Sequence, residues 1–142
     1  MTIDAQPHIA DSLTKNQSLV LSALSNAAGP LSAYDILDAL RDEGLRAPLQ
    51  VYRALDKLLV LGAVHRLESL NAFVVCQHGQ CRQALGAVFT ICDNCTQVEE
   101  LPHGKLDRPL QNLVSEAEFS LRKSTVELRG VCAACSAQEK LQ

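Results

Sequence analysis

Two cysteine couples carry the chemistry most open to reading: Cys92-Asp93-Asn94-Cys95 and Cys132-Ala133-Ala134-Cys135. Thirty-six residues lie between them, so each couple can close half of a four-thiolate site only after the intervening chain has folded. Thiolates supplied in pairs from two turns suit tetrahedral Zn²⁺, at about 2.3 Å per Zn–S bond. One couple alone would serve redox chemistry equally well. Two of them point to a closed, non-catalytic centre that helps hold the fold. Disulfides joining the couples stand second, and a redox-active couple third.

The elements that must position these thiols follow from local pattern. Val88–Cys92 and Gln97–Leu101 read as strands flanking the first couple. Asp107 is expected to cap a helix with Pro109 in its first turn and Leu110, Leu113, Val114 and Ala117 on one face. Phe119–Leu128 reads as a long strand that delivers the second couple beside the first. Its alternation changes phase, since Phe119 and Leu121 share one face and Val126 and Leu128 the other. A bulge or break is therefore expected near Lys123-Ser124. The tail Ser136–Gln142 is expected to be frayed or a short helix.

Upstream, Thr14-Lys15-Asn16-Gln17 has the form of a capping box, and Val20, Leu21, Leu24 and Ala28 follow at helical spacing. That predicts a helix over 15–28, ended by Gly29-Pro30. Ser32 caps a second helix whose inner face is Ile36, Leu37 and Leu40, with Leu31 and Ile36 set as a staple across the cap. Gly44 closes it. Pro48 suits the first turn of a third helix with an apolar face of Val51, Leu55, Leu58 and Leu59, ended by Gly62. Two short β-rich runs, Ala63–Glu68 and Ala72–Cys76, form a hairpin around Ser69-Leu70-Asn71. Three short helices and a two-stranded ribbon make the order of a winged helix-turn-helix. Gln77–Gly86 is polar and lacks a clear period, so it reads as a hinge. The expected division is 1–76 winged helix, 77–86 hinge and 87–142 metal-binding domain, within an α+β fold class.

Composition narrows the function. The chain is 47% hydrophobic yet only 4% aromatic and without Trp, so each small core is aliphatic and would gain from a metal clip and from oligomerisation. No apolar run approaches the ~20 residues of a membrane span, and Met1–Ala10 lacks the pattern of a secretory leader. A cytoplasmic location is expected, where six cysteines serve as ligands rather than disulfides. Residues 1–76 hold six Lys+Arg against eight Asp+Glu, and residues 77–142 seven against eight. Neither half is basic, so nucleic-acid binding has to rest on local placement of cations.

The runs Ser32-Ala33-Tyr34-Asp35-Ile36-Leu37 and Val51-Tyr52-Arg53-Ala54-Leu55-Asp56, together with the paired Cys-x-x-Cys couples, resemble the ferric uptake regulator (Fur) family. The zinc uptake regulator (Zur) branch is the nearest, and the resemblance spans roughly residues 12–136. It implies a homodimeric, metal-dependent repressor of palindromic operator DNA, with a C-terminal α/β dimerisation domain. On the third helix, an Arg can pair bidentately with guanine in the major groove. By resemblance, Arg53 contacts a purine, while Tyr52 and Tyr34 contact bases or phosphates. Lys57 and Arg66 are candidates for phosphate contact, and Gln50 can bond adenine or cap the helix. Family members often carry Thr-Pro-Gln-Arg where this chain has Thr14-Lys15-Asn16-Gln17, which removes one phosphate contact and leaves Lys15 to replace it. Reliance on two half-sites is expected.

A permanently filled structural site senses nothing, so a zinc regulator needs a second one. The resemblance assigns it to His65, Cys76 and Glu100, with the fourth position open because the family's His is absent there. Cys81 is the first choice and His78 the second. This gives two Zn²⁺ per subunit, one structural and one regulatory. Arg122, Lys123 and Arg129 stand where some members carry a further ligand, and His103 is isolated, so no full third site is expected. An enzyme is disfavoured: neither couple follows a thioredoxin-like pattern, and no phosphate-cradling Gly loop occurs. An iron- or peroxide-sensing regulator of the same family is the alternative, and thiols at the sensing site argue against it.

Overall fold

A computed structural model of the chain describes residues 12–77 and 86–141 and divides into two compact units, Met1–Arg82 and Gln83–Gln142. Most of the hinge reading, with Cys81 and His78, lies outside the described residues.

In the first unit, α1 (Lys15–Asn26) opens on a reciprocal cap. Thr14 Oγ1 accepts from the Gln17 N–H at 3.3 Å, and Gln17 Oε1 accepts from the Thr14 N–H at 3.0 Å. The helix stops short of Ala28, because Ala27 already has the extended backbone (φ −76°, ψ 148°) that leads into Gly29-Pro30. A second reciprocal cap, Ser32 with Asp35, starts α2 (Ala33–Ala39). The Ser32 backbone N–H, and after it the Ser32 hydroxyl, hold the Asp35 carboxyl below its ordinary range. A 3₁₀ turn at Arg41–Glu43 follows, and Gly44 takes φ 103°, open to glycine without strain.

Pro48 begins α3 (Pro48–Val60), where Ala47 has no side chain to cap with. Gln50 does so instead: its Oε1 accepts from the N–H groups of Arg46 (2.9 Å) and Ala47 (3.1 Å). The apolar face of α3 buries Val51, Ala54, Leu55 and Leu58 into a core with Val20, Leu24, Ile36, Leu37 and Leu45. Each large aliphatic side chain so buried contributes about 1.5–3 kcal/mol. The hairpin β1 (Val64–Leu67) and β2 (Ala72–Val75) pairs Val64 with Val75 and Leu67 with Ala72. Leu31 adds a short third rung to the wing, exchanging both backbone hydrogen bonds with Phe73 (3.1 and 2.8 Å).

In the second unit, β3 (Gly86–Cys92) is the central strand, antiparallel to β4 (Val98–Leu101) and parallel to β5 (Ser124–Gly130). A parallel pair needs a crossover, and α4 (Gly104–Ser115) supplies it. β3 and β5 meet so closely that a Cβ on Gly86 would stand 1.9 Å from the Ser124 carbonyl oxygen. Three expectations are corrected here. α4 begins at Gly104 rather than after Asp107, because the Leu106 N–H bonds the His103 carbonyl (2.8 Å) and closes the first turn upstream. Pro109 therefore lies inside the helix, where its missing N–H removes one rung. The long strand is also shorter than expected. Phe119–Lys123 belong to the connection, and the change of phase marks the point where β5 starts at Ser124. Finally α5 (Ala133–Lys140) begins directly after Cys132, earlier than the expected tail helix.

Candidate metal centre and nucleic-acid interface

The parallel register decides how the cysteines meet. Cys92 closes β3 opposite Gly130, the last residue of β5, so Cys132 arrives two residues beyond that pair. Cys95 follows in the turn after β3, where Thr96 takes φ 63° and its N–H returns to the Cys92 carbonyl at 2.9 Å. Cys132 and Cys135 occupy the N-cap and first turn of α5, where unsatisfied N–H groups favour negative charge. All four Sγ atoms lie within 4.8 Å of one another. A tetrahedron with ~2.3 Å Zn–S bonds has S···S edges of about 3.8 Å, and the Cys95–Cys132 separation is 3.7 Å. The donor set fits Zn²⁺ and leaves no open position.

One sulfur of the four, Cys92, is prepared for thiolate by its hydrogen bonds. Cys92 Sγ accepts N–H bonds from Cys132 (3.3 Å) and Cys95 (3.5 Å), which pull its thiol down to about 6. Cys135 is pushed up to about 12 by its neighbours Cys132 and Cys95, as adjoining thiols share protons when no cation is present. Zinc loading therefore releases protons, and apparent affinity rises with pH. The turn that carries Cys92 and Cys95 is braced on two sides. Arg129 bonds Asp93 Oδ1 through Nε (3.0 Å) and Nη2 (2.9 Å), and Asn94 Nδ2 donates to Glu139 Oε1 on α5 at 2.8 Å. Neither brace was visible in the sequence, since both partners are distant along the chain.

His103 is not isolated, contrary to the sequence reading. It is 6% exposed, with Nδ1 bonded to Asp107 and Nε2 2.7 Å from Ser124 Oγ. This line braces the start of α4 against the start of β5. The Asp107 at i+4 was its only local signal.

The other predicted residues lie on the following elements, each taken within its own unit. His65 lies on β1 opposite Val74, half-buried, and Cys76 follows β2 with its N–H on the Ala63 carbonyl at 2.9 Å. Glu100 lies on β4 opposite Phe89 and is buried. Tyr34 is exposed on α2, and Tyr52 and Arg53 are exposed on α3. Leu49, Tyr52, Arg53, Asp56, Lys57 and Val60 together make the solvent stripe of α3, opposite its core face. Gln50 caps rather than projects. Arg66 bonds Asn71 Oδ1 (3.2 Å) within its own hairpin.

No protein-family model matches the sequence. The zinc uptake regulation protein of Escherichia coli (strain K12) is 40% identical over 124 residues, covering 87% of this chain and 72% of that one. A solved zinc uptake regulator complexed with zinc and DNA has a TM-score of 0.85 at 36% identity, across 94% of this chain and 91% of the other. Holo XcZur has a TM-score of 0.79 at 39% identity, across 88% and 86%. A winged helix in series with an α/β unit holding a four-thiolate cluster defines a metal-binding protein of the ferric uptake regulator type. Within that type, the chain belongs to the zinc uptake regulator family.

Proposed function

We propose that this chain is a zinc-responsive transcriptional repressor that binds palindromic operator DNA as a dimer when a regulatory zinc site is filled. The observation that carries the reading is its likeness, over nearly its whole length, to a regulator solved with zinc and DNA. Cys92, Cys95, Cys132 and Cys135 hold the structural ion. His65, Cys76, Glu100 and either Cys81 or His78 hold the regulatory one, giving two ions per subunit. Thiolate mixed with imidazole and carboxylate in a four-coordinate set favours Zn²⁺ over iron or manganese. These donors belong to both halves of the sequence, so zinc there supplies a cross-link that fixes how the DNA-reading helix is presented.

On the reading side, Arg53 and Tyr52 stand on the exposed face of α3, with Tyr34 on α2. Their task is to hydrogen-bond base edges and phosphates. On the pairing side, Leu113, Phe119, Leu128 and Val131 are exposed apolar residues of the second unit, suited to cover by a second copy. A population shift from 1:99 to 99:1 needs roughly 5.5 kcal/mol of differential binding, well within the reach of a zinc site. Among the described residues no helix is long and apolar enough to cross a membrane.

The test is a metal count on purified protein, followed by zinc-titrated binding to palindromic DNA. Two zinc per subunit and binding that rises with free zinc are expected. Equal DNA affinity with one and with two zinc per subunit would overturn the proposal.

A further inference from the structure

We propose that Leu49 is a specificity-determining residue whose side chain reads a thymine methyl group in the major groove. This rests on the reading of α3 as the recognition helix. Leu49 is the second residue of α3 and is 57% exposed, whereas the core-facing Val51, Ala54, Leu55 and Leu58 are at most 3% exposed. At about 100° per residue it stands opposite that core face. Its neighbours at i+3 and i+4 are Tyr52 and Arg53.

Single exposed leucines are ordinary; position sets this one apart. The N-terminal residues of a recognition helix are the ones that meet base edges. Val60, equally apolar and 77% exposed, is eleven residues further on, about 16 Å along the axis, and out of that reach. The backbone under Leu49 is also fixed, since Pro48 sets φ and Gln50 Oε1 holds the Arg46 and Ala47 N–H groups. That cap occupies Gln50, which would otherwise be the polar reader at this end. Exposed Arg46 and Arg53 flank Leu49 in the chain, and Lys57 lies further along the same stripe beside Asp56, so cations outnumber acids on the face that would meet a phosphate backbone. An apolar side chain in the major groove discriminates by the C5-methyl of thymine, which cytosine lacks.

The test uses zinc-loaded full-length protein and a duplex selected by the unaltered protein from a random pool. Each thymidine is then replaced singly by deoxyuridine, which removes the methyl and keeps the pairing. One position per half-site should weaken binding by about fourfold. Leu49→Ala should lose about as much on the thymidine duplex and nothing further on the deoxyuridine one, while Leu49→Met keeps the discrimination. Thermal midpoint and dimer mass should be unchanged. Leu49→Ala with the full thymine sensitivity of the unaltered protein would overturn the assignment, as would indifference of the unaltered protein to every methyl. So would a shift of Leu49→Ala to monomer with sensitivity retained, since Leu49 would then be a protein contact. Failure of the underlying reading looks different: no sequence would be enriched from the pool at all.

Discussion

Replacing Cys92 by Ser should dismantle the second unit while sparing the first. Cys92 is 4% exposed, and its sulfur accepts the N–H groups of both Cys95 and Cys132, so it anchors both turns of the centre. A serine hydroxyl stays protonated at neutral pH and does not replace a thiolate ligand. The core around it is thin. Val88, Phe89 and Ile91 are the large apolar residues buried on β3, together worth about 5–9 kcal/mol. A structural zinc site contributes about 10–16 kcal/mol, as much as the entire net stability of an ordinary domain at about 5–15 kcal/mol. Losing it should therefore unfold the unit at 25 °C rather than soften it. Amide hydrogen exchange on the full chain separates the two halves. In Cys92→Ser, β3 and β5 amides should exchange within the dead time, while Val51–Leu58 amides on α3 keep protection factors near those of the unaltered protein. Zinc content should fall by at least one ion per subunit. A variant with unchanged zinc and protected β3 amides would refute the reasoning, because the centre would then be ornamental to the fold.

Three further outcomes follow from the same geometry. Cys76→Ser should keep the structural zinc and the dimer but lose the zinc dependence of operator binding; a normal zinc response in that variant would remove Cys76 from the sensing set. Arg53→Ala should reduce affinity for the selected duplex by about 10- to 100-fold, with a smaller loss on random DNA, and equal losses on both would make it a phosphate contact only. His103→Ala should lower the thermal midpoint of the second unit through two lost hydrogen bonds, at about 1–3 kcal/mol together, since Asp107 and Ser124 keep access to water. An unchanged melt would show that the brace carries no load.

Local rules made much of the first unit legible. Thr14 with Gln17, Ser32 and Pro48 announce three helix starts by chemistry contained within four residues, and each starts where its cap requires. The pairing of the cysteine couples was legible for the same reason, since metal-ligand spacing is written in the chain. What misled was chemistry with two uses. Asp107 has the type and place of an N-cap, but four residues upstream a buried imidazole takes its carboxylate, and the helix starts there. Gln50 reads equally as a base contact or as a cap, and the absence of a capping side chain at Ala47 decides for the cap. Parallel pairing of β3 with β5 leaves no local trace, because the partners are 38 residues apart at Gly86 and Ser124. The phase change in Phe119–Leu128 was a true signal: of the bulge or break it predicted near Lys123-Ser124, the chain has the break, where the connection ends and β5 starts.

The division of labour proposed above, one structural and one regulatory zinc site, rests on how the four-cysteine site is tied into its unit. Its four sulfurs come from one unit, its turns are tied by Arg129–Asp93 and Asn94–Glu139, and one of its thiols is pulled to about 6 before any metal arrives. Such a centre holds zinc at any concentration at which the unit is folded, because losing the metal and losing the fold are one event. It therefore cannot report a change in zinc supply. A sensor has to draw on donors whose own elements fold without it. His65 on a hairpin with its own backbone ladder, and Glu100 on a strand paired to β3, meet that condition. On the proposed reading, removing zinc from donors of that kind leaves both units intact and changes only the population of DNA-competent dimers. This is what a reversible switch requires, and on that proposal the four-cysteine cluster, the clearest feature of the sequence, holds the fold and the response arises elsewhere.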